Sequence, residues 1–246
     1  MKTEALASLL ADRVQTLHSK QKSKRRTLIA LAGGPGSGKT FIASSIAEAV
    51  TKRGIKAQAV SIEGFVKPSH VLTDEQKKHK GSFDTFDGEA VVEFFRKLRE
   101  LGPGHELSCP GVDEDGKFEP IPDGEKVHAD AEVVIFEGIY MLANQEPYLQ
   151  IRAPLVDERW FIEVKPELVR QRVAERRLSK GKASSMEESL RTYDESDSAN
   201  TKWIAENIVD VDLTIVSNEE CEVDGRMGGL RGRCIEALDM VVALER

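Results

Sequence analysis

Residues 33–40 read Gly-Gly-Pro-Gly-Ser-Gly-Lys-Thr and decide the fold of this chain of 246 residues. They match the pattern G-x-x-x-x-G-K-[ST], in which glycines let successive backbone N–H groups curl around an anion without Cβ clashes. The apolar run 28–32 precedes the motif and the helix-prone segment 41–50 follows it. A helix that begins at such a loop directs its positive end at the bound anion. The stretch therefore predicts a binding site for a nucleoside triphosphate.

The side chains of this loop have distinct expected parts. Lys39 would contact the β- and γ-phosphates, and the Thr40 hydroxyl would hold Mg²⁺. The alternative, a glycine-rich turn that binds nothing, is disfavoured by the Lys-Thr pair and by the flanking strand and helix. The predicted cofactor-binding residues are Gly33, Gly34, Pro35, Gly36, Ser37, Gly38, Lys39, Thr40 and Phe41.

Length and composition narrow the class of protein. A chain of 246 residues suits one α/β domain, and we predict a single domain over 1–246. The net charge of −7 argues against a nucleic-acid-binding surface. Three widely spaced cysteines without a C-x-x-C pair suggest neither a zinc site nor a disulfide framework. The N-terminus has no apolar signal core and no apolar stretch could span a bilayer, so we expect no membrane partner and a cytoplasmic location.

Strand-like and helix-like segments alternate along the chain, which is typical of a mostly parallel sheet covered by helices on both faces. Both tryptophans, Trp160 and Trp203, are expected in the core or between helices. The predicted strands are 27–31, 56–62, 133–137, 159–164 and 213–216, and the predicted helices are 3–17, 40–53, 88–101, 166–178, 186–207 and 234–244.

Three segments lie outside this alternation. Residues 1–26 are predicted as an N-terminal helix followed by a solvated basic link that contains Arg25 and Arg26. Residues 102–130 are rich in Pro, Gly and Asp, which predicts an insertion of turns with a short hairpin near the mouth of the site. Residues 217–246 are predicted as a C-terminal extension.

Two predicted strands end in a carboxylate, at the edge where open α/β sheets bind ligands. Glu137 ends an apolar strand of the kind that lies beside the loop-bearing strand, so its carboxylate would reach the Mg²⁺ shell. An ordinary strand-end acid in solvent is the alternative. Glu63 ends a second strand and, placed next to the loop-bearing strand, could accept the proton of an attacking hydroxyl. A structural pairing of Glu63 with Lys67 or Lys39 is an equal alternative.

The segment 80–88 carries two further acids. Asp87 or Thr85 could cap the helix that follows, which is a common role for these residue types. Asp84 is less easily explained in that way. An acid near a phosphate site suggests recognition of a substrate hydroxyl, and this interpretation stays open.

The predicted helix 166–178 is rich in arginine. Arg172 and Arg176 are four residues apart and share a face, and the loop 180–182 that follows contains glycine. These features suggest a lid whose guanidinium groups neutralise charge that develops during transfer. The alternative is a solvated basic face balanced by Glu167 and Glu175.

Taken together, these segments resemble the phosphoribulokinase/uridine kinase/pantothenate kinase family of P-loop kinases, and most closely its poorly characterised nucleoside-kinase-like branch from bacteria and fungi. The resemblance covers roughly residues 25–216, and its stretches occur in the order of the family. They are GGPGSGKT, SIEGFVKP, KGSFDTFD, VVIFEGIYML, DERWFIEV with its arginine-rich helix, and Asp197-Ser198-Ala199-Asn200. The ordered combination is more specific than the P-loop alone.

The resemblance implies a P-loop NTPase three-layer α/β fold with a small lid at 172–185. It also implies ATP and Mg²⁺ as cofactors, and transfer of the γ-phosphate to a hydroxyl of a small metabolite (a nucleoside, sugar or vitamin precursor) by a monomer or homodimer. The residues it assigns are Lys39, Glu63 as general base, Arg172 and Arg176 for catalysis; Asp84, Asp87, Asp197 and Asn200 for the substrate; and Thr40 and Glu137 for the metal.

This chain departs from the family pattern at the acceptor side. The family usually has Asp-Gly-Phe-His where this chain has Glu63-Gly64-Phe65-Val66. Glutamate moves the carboxylate by about one methylene, and a shift of about 1 Å can cost about a hundredfold in rate. A second hypothesis is therefore an ATP-binding protein with an ATPase or regulatory role and no kinase activity. A GTPase is disfavoured because no Asn-Lys-x-Asp motif occurs, and an adenylate kinase because the later carboxylate segments fit it worse.

Overall fold

The computed structural model describes residues 3–21, 25–113, 117–217 and 240–243. Its strands are β1 (Thr27–Gly33), β2 (Ala57–Ser61), β3 (Leu107–Val112), β4 (Pro120–Val127), β5 (Val133–Glu137), β6 (Glu158–Val164), β7 (Leu213–Ser217) and β8 (Met240–Ala243). Its α-helices are α1 (Thr3–Ser19), α2 (Lys39–Thr51), α3 (Asp74–Lys78), α4 (Gly88–Leu101), α5 (Pro166–Ser179), α6 (Met186–Thr192) and α7 (Ser198–Glu206).

Six strands form one sheet in the order β2-β5-β1-β6-β7-β8. All neighbouring pairs are parallel except β7 with β8, so the predicted mostly parallel sheet is confirmed. The strand that precedes Glu63 is β2, and β5 separates it from β1. The expected place of β2, directly beside the P-loop strand, is therefore wrong. Every residue of β5 is buried, which favours a central position, whereas β2 is mostly half-buried and lies at the edge.

Alternate residues of the central strands face two apolar layers. Ile29 points to the side that α1 and α2 cover, where Leu10 and Ile46 are buried. Leu28 points to the other side, where Phe95 of α4 is buried. Burying each such side chain contributes roughly 1.5–3 kcal/mol before entropy is counted. Helices on both faces confirm the predicted three-layer α/β arrangement.

The tryptophans lie where the sequence predicts. Trp160 of β6 is fully buried in the core beneath α1 and α2. Trp203 of α7 stacks on Phe83 with ring centroids 4.7 Å apart. The predicted helix 186–207 is a continuous helical path, in which the π-helical turn Tyr193–Asp197 joins α6 to α7.

The C-terminal helix predicted at 234–244 is wrong over its described part. Met240–Ala243 form β8, which pairs antiparallel with β7. β-branched residues suit a strand, and the ladder with β7 pairs backbone groups that an edge strand would leave open. The rest of that prediction, like the segment 221–232, lies outside the described residues.

The prediction of a solvated basic link is wrong at Arg26, whereas Arg25 is half-exposed and ion-paired. Arg26 is only 2% exposed, and its Nη1 donates to the carbonyl oxygen of Gly102. Arg25 donates from Nη2 to Asp157 Oδ1 at 2.6 Å. Loop carbonyls that lack a partner in a sheet or helix need donors, and a guanidinium fork supplies several of them. Residues 22–24 lie outside the described part of the chain.

The insertion at 102–130 contains the predicted hairpin, formed by β3 and β4 as an antiparallel pair. Residues 114–116, which lie between β3 and β4 in the sequence, are not among those described. None of the helices in the described part of the chain combines the length and apolar composition needed to cross a bilayer.

Candidate active site

The P-loop connects the end of β1 to the start of α2, and its glycines are needed for its shape. Gly36 and Gly38 have φ of +73° and +87°, a region that other residues avoid. A Cβ at Gly36 would lie 2.8 Å from Cγ2 of Val173 in α5. A Cβ at Gly34 would lie 3.8 Å from Thr201 in α7. Two helices from later in the chain therefore enclose the loop.

Lys39 is buried at the first position of α2. Its Nζ donates to the carbonyl oxygen of Gly34 at 3.3 Å and lies 4.0 Å from Glu63 Oε1. The pairing of Glu63 with the P-loop lysine, one of the alternatives raised by the sequence, is therefore present. The same contact places the Glu63 carboxylate at the phosphate loop, although β2 is not adjacent to β1.

Thr40 and Glu137 form a pair beneath the P-loop. Thr40 Oγ1 donates to Glu137 Oε1 at 3.0 Å. Glu137 is 2% exposed, so the alternative of a strand-end acid in solvent is wrong. Within the described residues, Glu137 Oε2 has no hydrogen-bond partner. A buried carboxylate oxygen without a donor is unfavourable, and a hydroxyl beside it completes an oxygen-rich pair that suits Mg²⁺.

Few protein atoms are placed to bind a metal ion at this site. Across the described part of the chain, no three His, Cys, Asp or Glu side chains are grouped so as to hold a metal. Mg²⁺ commonly keeps several waters and binds through one or two protein oxygens together with substrate phosphates. The Thr40 and Glu137 oxygens fit that pattern and would not form a complete site without a nucleotide.

The segment after β2 is joined to the segment that carries Asp84 and Asp87. Lys67 N donates to Thr85 O at 2.7 Å, and Asp87 N donates to Phe65 O at 2.8 Å. These bonds hold the turn that begins at Glu63 against the second acidic segment. The structure therefore brings together the two acidic segments that the sequence singled out.

The two acids of that second segment differ in their contacts. Asp87 Oδ1 accepts a hydrogen bond from Ala90 N at 3.0 Å, which confirms its interpretation as the N-cap of α4. Asp84 is exposed and accepts from Ser82 Oγ at 2.6 Å. That hydrogen bond holds the pKa of Asp84 below its ordinary value, so the carboxylate stays ionised near neutral pH.

Tyr140 is a site residue that the sequence reasoning missed. Its hydroxyl donates to Gly81 O at 2.9 Å, and Asn200 Nδ2 approaches the same oxygen at 3.3 Å. Burial raises the pKa of Tyr140, so the phenol keeps its proton. Tyr140 also lines a narrow crevice with Glu63. Its place three residues after Glu137 was the available signal, since a strand end and the turn after it meet the same edge.

The residues predicted for the lid region contact several different segments. Arg172 donates from Nη1 and Nη2 to Ser217 Oγ, both at 3.1 Å, at the carboxyl end of β7. Arg176 is exposed one turn further along α5. Asp197 Oδ2 accepts from Arg177 Nη2 at 2.8 Å. Asp197 is thus held against the arginine-rich helix, whereas Asn200 in α7 contacts the acceptor-side segment.

The hairpin, which the sequence predicts near the mouth of the site, makes contacts that the sequence did not predict. A Cβ at Gly64 would lie 1.9 Å from Pro110 O, so β3 runs directly over the residue that follows Glu63. Lys80 Nζ donates to Glu119 Oε1 at 2.7 Å, and Ser69 also binds Glu119. The hydrogen bond from Lys80 is the largest cause and those from Ser69 come next, and together they lower the pKa of Glu119 to about 2. No local pattern signals these contacts, because they join segments far apart in the chain.

A sequence model of the Phosphoribulokinase / Uridine kinase family matches residues 28–222 of this chain. The chain belongs to this family. Protein C227.14 of Schizosaccharomyces pombe, provisionally named a uridine kinase, is 29% identical over 201 residues, which are 79% of this chain and 84% of that protein. The ATP-dependent kinase YFH7 of Zygosaccharomyces rouxii is 26% identical over 68% of this chain and 50% of its own length.

Solved structures share the fold of this chain. A protein of Silicibacter sp. TM1040, described provisionally as a fructose transport system kinase, has a TM-score of 0.76 at 24% identity, over 85% of this chain and 98% of its own. YFH7 from Saccharomyces cerevisiae has the same TM-score at 18% identity, over 87% and 99%. Identities this low show the fold alone. Family membership supports ATP-dependent phosphoryl transfer to a small metabolite in general terms, with ATP and typically Mg²⁺.

Proposed function

We propose that this chain is a kinase that transfers the γ-phosphate of ATP to a hydroxyl of a small metabolite, such as a nucleoside, sugar or vitamin precursor. The observation that carries the proposal is the 4.0 Å between Lys39 Nζ and Glu63 Oε1. A lysine that binds phosphate and a carboxylate that can accept a proton then face one reaction centre. The proposal includes a single kinase domain over 1–246, acting in the cytoplasm as a monomer or homodimer without nucleic-acid or membrane partners.

The nucleotide end is formed by residues 33–41. Their backbone N–H groups would bind the phosphates, and Lys39 would contact the β- and γ-phosphate oxygens. Thr40 and Glu137 would hold Mg²⁺, which neutralises phosphate charge when bound. Arg172 reaches the same edge of the sheet at Ser217, and with the exposed Arg176 it would add positive charge when the lid region closes.

The acceptor end is formed by the segments that the backbone bonds of Lys67 and Asp87 join. Glu63 would accept the proton of the acceptor hydroxyl while the oxygen of that hydroxyl bonds to the γ-phosphorus. At the same time the bond between the γ-phosphorus and the oxygen that leaves with ADP breaks. Asp84 and Asn200 would orient the acceptor, and Asp87 and Asp197 would support them by capping α4 and bracing the lid helix. The longer glutamate fits this role because its carboxylate reaches the P-loop lysine.

The proposal is tested with a panel of sugars, nucleosides and vitamin precursors, incubated with the purified chain, ATP and Mg²⁺. Mass spectrometry should detect a phosphorylated product with one chemical class of acceptor. Glu63→Gln should lower transfer by about 10²–10⁴-fold, the usual contribution of a general base. Its affinity for ATP should stay the same or rise, because Lys39 keeps its place and loses a carboxylate that competes with the phosphates. Glu63→Asp, which restores the residue usual in the family, is the matched control and should keep measurable transfer.

Two outcomes would contradict parts of this proposal. If ATP is hydrolysed at one rate with every compound of the panel, the ATPase or regulatory alternative is supported instead. If transfer is unchanged in Glu63→Gln, Glu63 is not the base. Lys39→Ala should weaken ATP binding itself, which separates damage to the nucleotide end from damage to the acceptor end.

A further inference from the structure

Tyr140 connects the end of β5 to the segment that carries Asp84. It follows Glu137, the last residue of β5, by three positions and is 3% exposed. Its hydroxyl donates to the carbonyl oxygen of Gly81 at 2.9 Å. Since β5 pairs with both β1 and β2, the turn after its end is held by the middle of the sheet. A fixed part of the fold therefore contacts the start of the acidic segment.

The ring of Tyr140 packs against the same segment on both sides of Asp84 in the sequence. Its centroid lies 5.3 Å from that of Phe83 at an interplanar angle of 89°, and 5.4 Å from that of Phe86 at 71°. Edge-to-face contacts of this kind are favourable between aromatic rings. The hydroxyl and the ring of one residue thus contact positions 81, 83 and 86.

The residues between these contacts form a tight turn. Gly81 N donates to Thr85 Oγ1 at 2.9 Å, and Thr85 Oγ1 donates to Ser82 O at 2.8 Å. Thr85 is fully buried, whereas Asp84 is exposed and accepts from Ser82 Oγ at 2.6 Å. Because the turn is closed by its own hydrogen bonds, a contact that fixes Gly81 also fixes Asp84.

We propose that Tyr140 is a positioning residue, whose hydroxyl fixes the turn that carries Asp84 by binding the carbonyl oxygen of Gly81. This role rests on the proposed kinase function, in which Asp84 orients the acceptor. Without the hydroxyl the turn takes up other positions as well, and the apparent affinity for the acceptor falls with the fraction of competent molecules. Asn200 Nδ2, at 3.3 Å from the same oxygen, gives α7 a weaker part in this contact.

Tyr140→Phe tests the role, because it keeps the ring and removes only the hydroxyl. The acceptor probe is the compound of the panel that the wild type phosphorylates fastest. Its KM should rise by about three- to tenfold, the range that one hydrogen bond to a neutral group contributes. The kcat at saturating acceptor should change little, since the bound acceptor orders the turn. The KM for ATP should also change little, because the P-loop is untouched.

Tyr148→Phe is the matched control. The Tyr148 ring also packs on Phe83, with centroids 5.5 Å apart. Its hydroxyl is buried and has no hydrogen-bond partner among the described residues. The same chemical change at this position should therefore leave the KM of the acceptor as it is. Hydrogen exchange of both variants without ligands should show faster exchange of the amides of 81–87 in Tyr140→Phe only.

Asp84→Asn shows whether Tyr140 acts through the acid. Alone it should raise the KM of the acceptor. In the double variant, Tyr140→Phe should add less than its own factor, because the turn no longer carries the carboxylate that it positions. A purely structural role of Tyr140 would leave the two factors independent. Thermal unfolding of each variant checks its fold.

The proposal is overturned if Tyr140→Phe and Tyr148→Phe share the KM of the wild type for the acceptor. It is equally overturned if the factors of Tyr140→Phe and Asp84→Asn multiply fully in the double variant. Failure of the proposed kinase function looks different, since the wild type itself then transfers phosphate to no compound of the panel.

Discussion

Thr40 donates a hydrogen bond of 3.0 Å from Oγ1 to Oε1 of Glu137, across 97 positions of sequence. The bond joins the last residue of the P-loop motif to the end of β5. Parallel pairing of β1 with β5 makes it possible, because Leu31 lies in register with Glu137. The other carboxylate oxygen of Glu137 is buried without a partner in the described structure. A buried carboxylate oxygen without a donor is unfavourable by itself and becomes favourable beside a bound cation.

Glu137→Gln tests that relationship. The Mg²⁺ concentration for half-maximal ATP-dependent activity should rise by about 10–100-fold, the usual effect on affinity of disturbing a metal site. Without nucleotide, the free energy of unfolding should stay the same or rise, because a buried charge is removed. Mg²⁺ titration and urea unfolding measure the two effects. Glu163→Gln, at an exposed position of β6, is the control. Lower stability with an unchanged Mg²⁺ requirement would show that the pair is structural.

Gly36→Ala should damage the P-loop in two ways, through backbone strain and through a steric clash with α5. A left-handed conformation costs a non-glycine residue about 1–2 kcal/mol. Gly54→Ala is a matched control, because Gly54 has a φ of +87° and open space around it. Both variants should lose similar stability from strain, but the new Cβ at Gly36 also meets Val173 at 2.8 Å. Only Gly36→Ala should therefore lose ATP affinity, and fluorescence titration with a nucleotide analogue measures it. Equal ATP affinity in both variants would contradict the close packing of α5 on the loop.

Gly64→Ala should separate the hairpin from the Glu63 turn. A new Cβ 1.9 Å from a backbone oxygen cannot be relieved by a side-chain rotation, so β3 must move. Overpacking of this kind costs about 1–3 kcal/mol, and moving Glu63 by about 1 Å can cost about a hundredfold in rate. ATP affinity should persist. Steady-state kinetics and hydrogen exchange of the hairpin check both parts. Gly104→Ala is the control for lost stability alone, because its φ of +88° strains alanine but the space around it is open, so it should leave the kinetics unchanged. Unchanged kinetics would show that the hairpin does not position Glu63.

Glu119→Gln should change how the free energy of unfolding depends on pH. The folded chain holds the pKa of Glu119 at about 2, below its ordinary 4.5. A lowered pKa means that the ionised carboxylate stabilises the fold above pH 4.5, and that this contribution disappears as the pH falls towards 2. The stability difference between wild type and variant should therefore be constant above pH 4.5 and shrink below it. Urea unfolding at several pH values measures it, and Lys80→Met should reproduce the effect. A difference independent of pH would contradict the pairing.

Features set by neighbouring residues could be predicted from the sequence. The P-loop, the start of α2, the cap at Asp87 and the hairpin at 102–130 depend on glycine, turn and capping preferences that act over a few positions. The place of Glu137 near the P-loop could be predicted too, because a fully apolar strand lies in the buried middle of a parallel sheet, beside the strand that carries the loop. The resemblance to the kinase family rests on the same short stretches, and membership is confirmed over residues 28–222.

Other features depend on which distant segments meet, and only the tertiary structure decided them. The place of β2 at the edge of the sheet beyond β5, the burial of Arg26, and Pro110 over Gly64 follow from competition among long-range contacts. So does the hydrogen bond from Tyr140 to Gly81. The sequence alone determined that the chain forms a phosphate-binding loop between a strand and a helix. Packing of the whole chain decided which carboxylates and arginines surround that loop, because side-chain partners in space are not set by spacing in sequence.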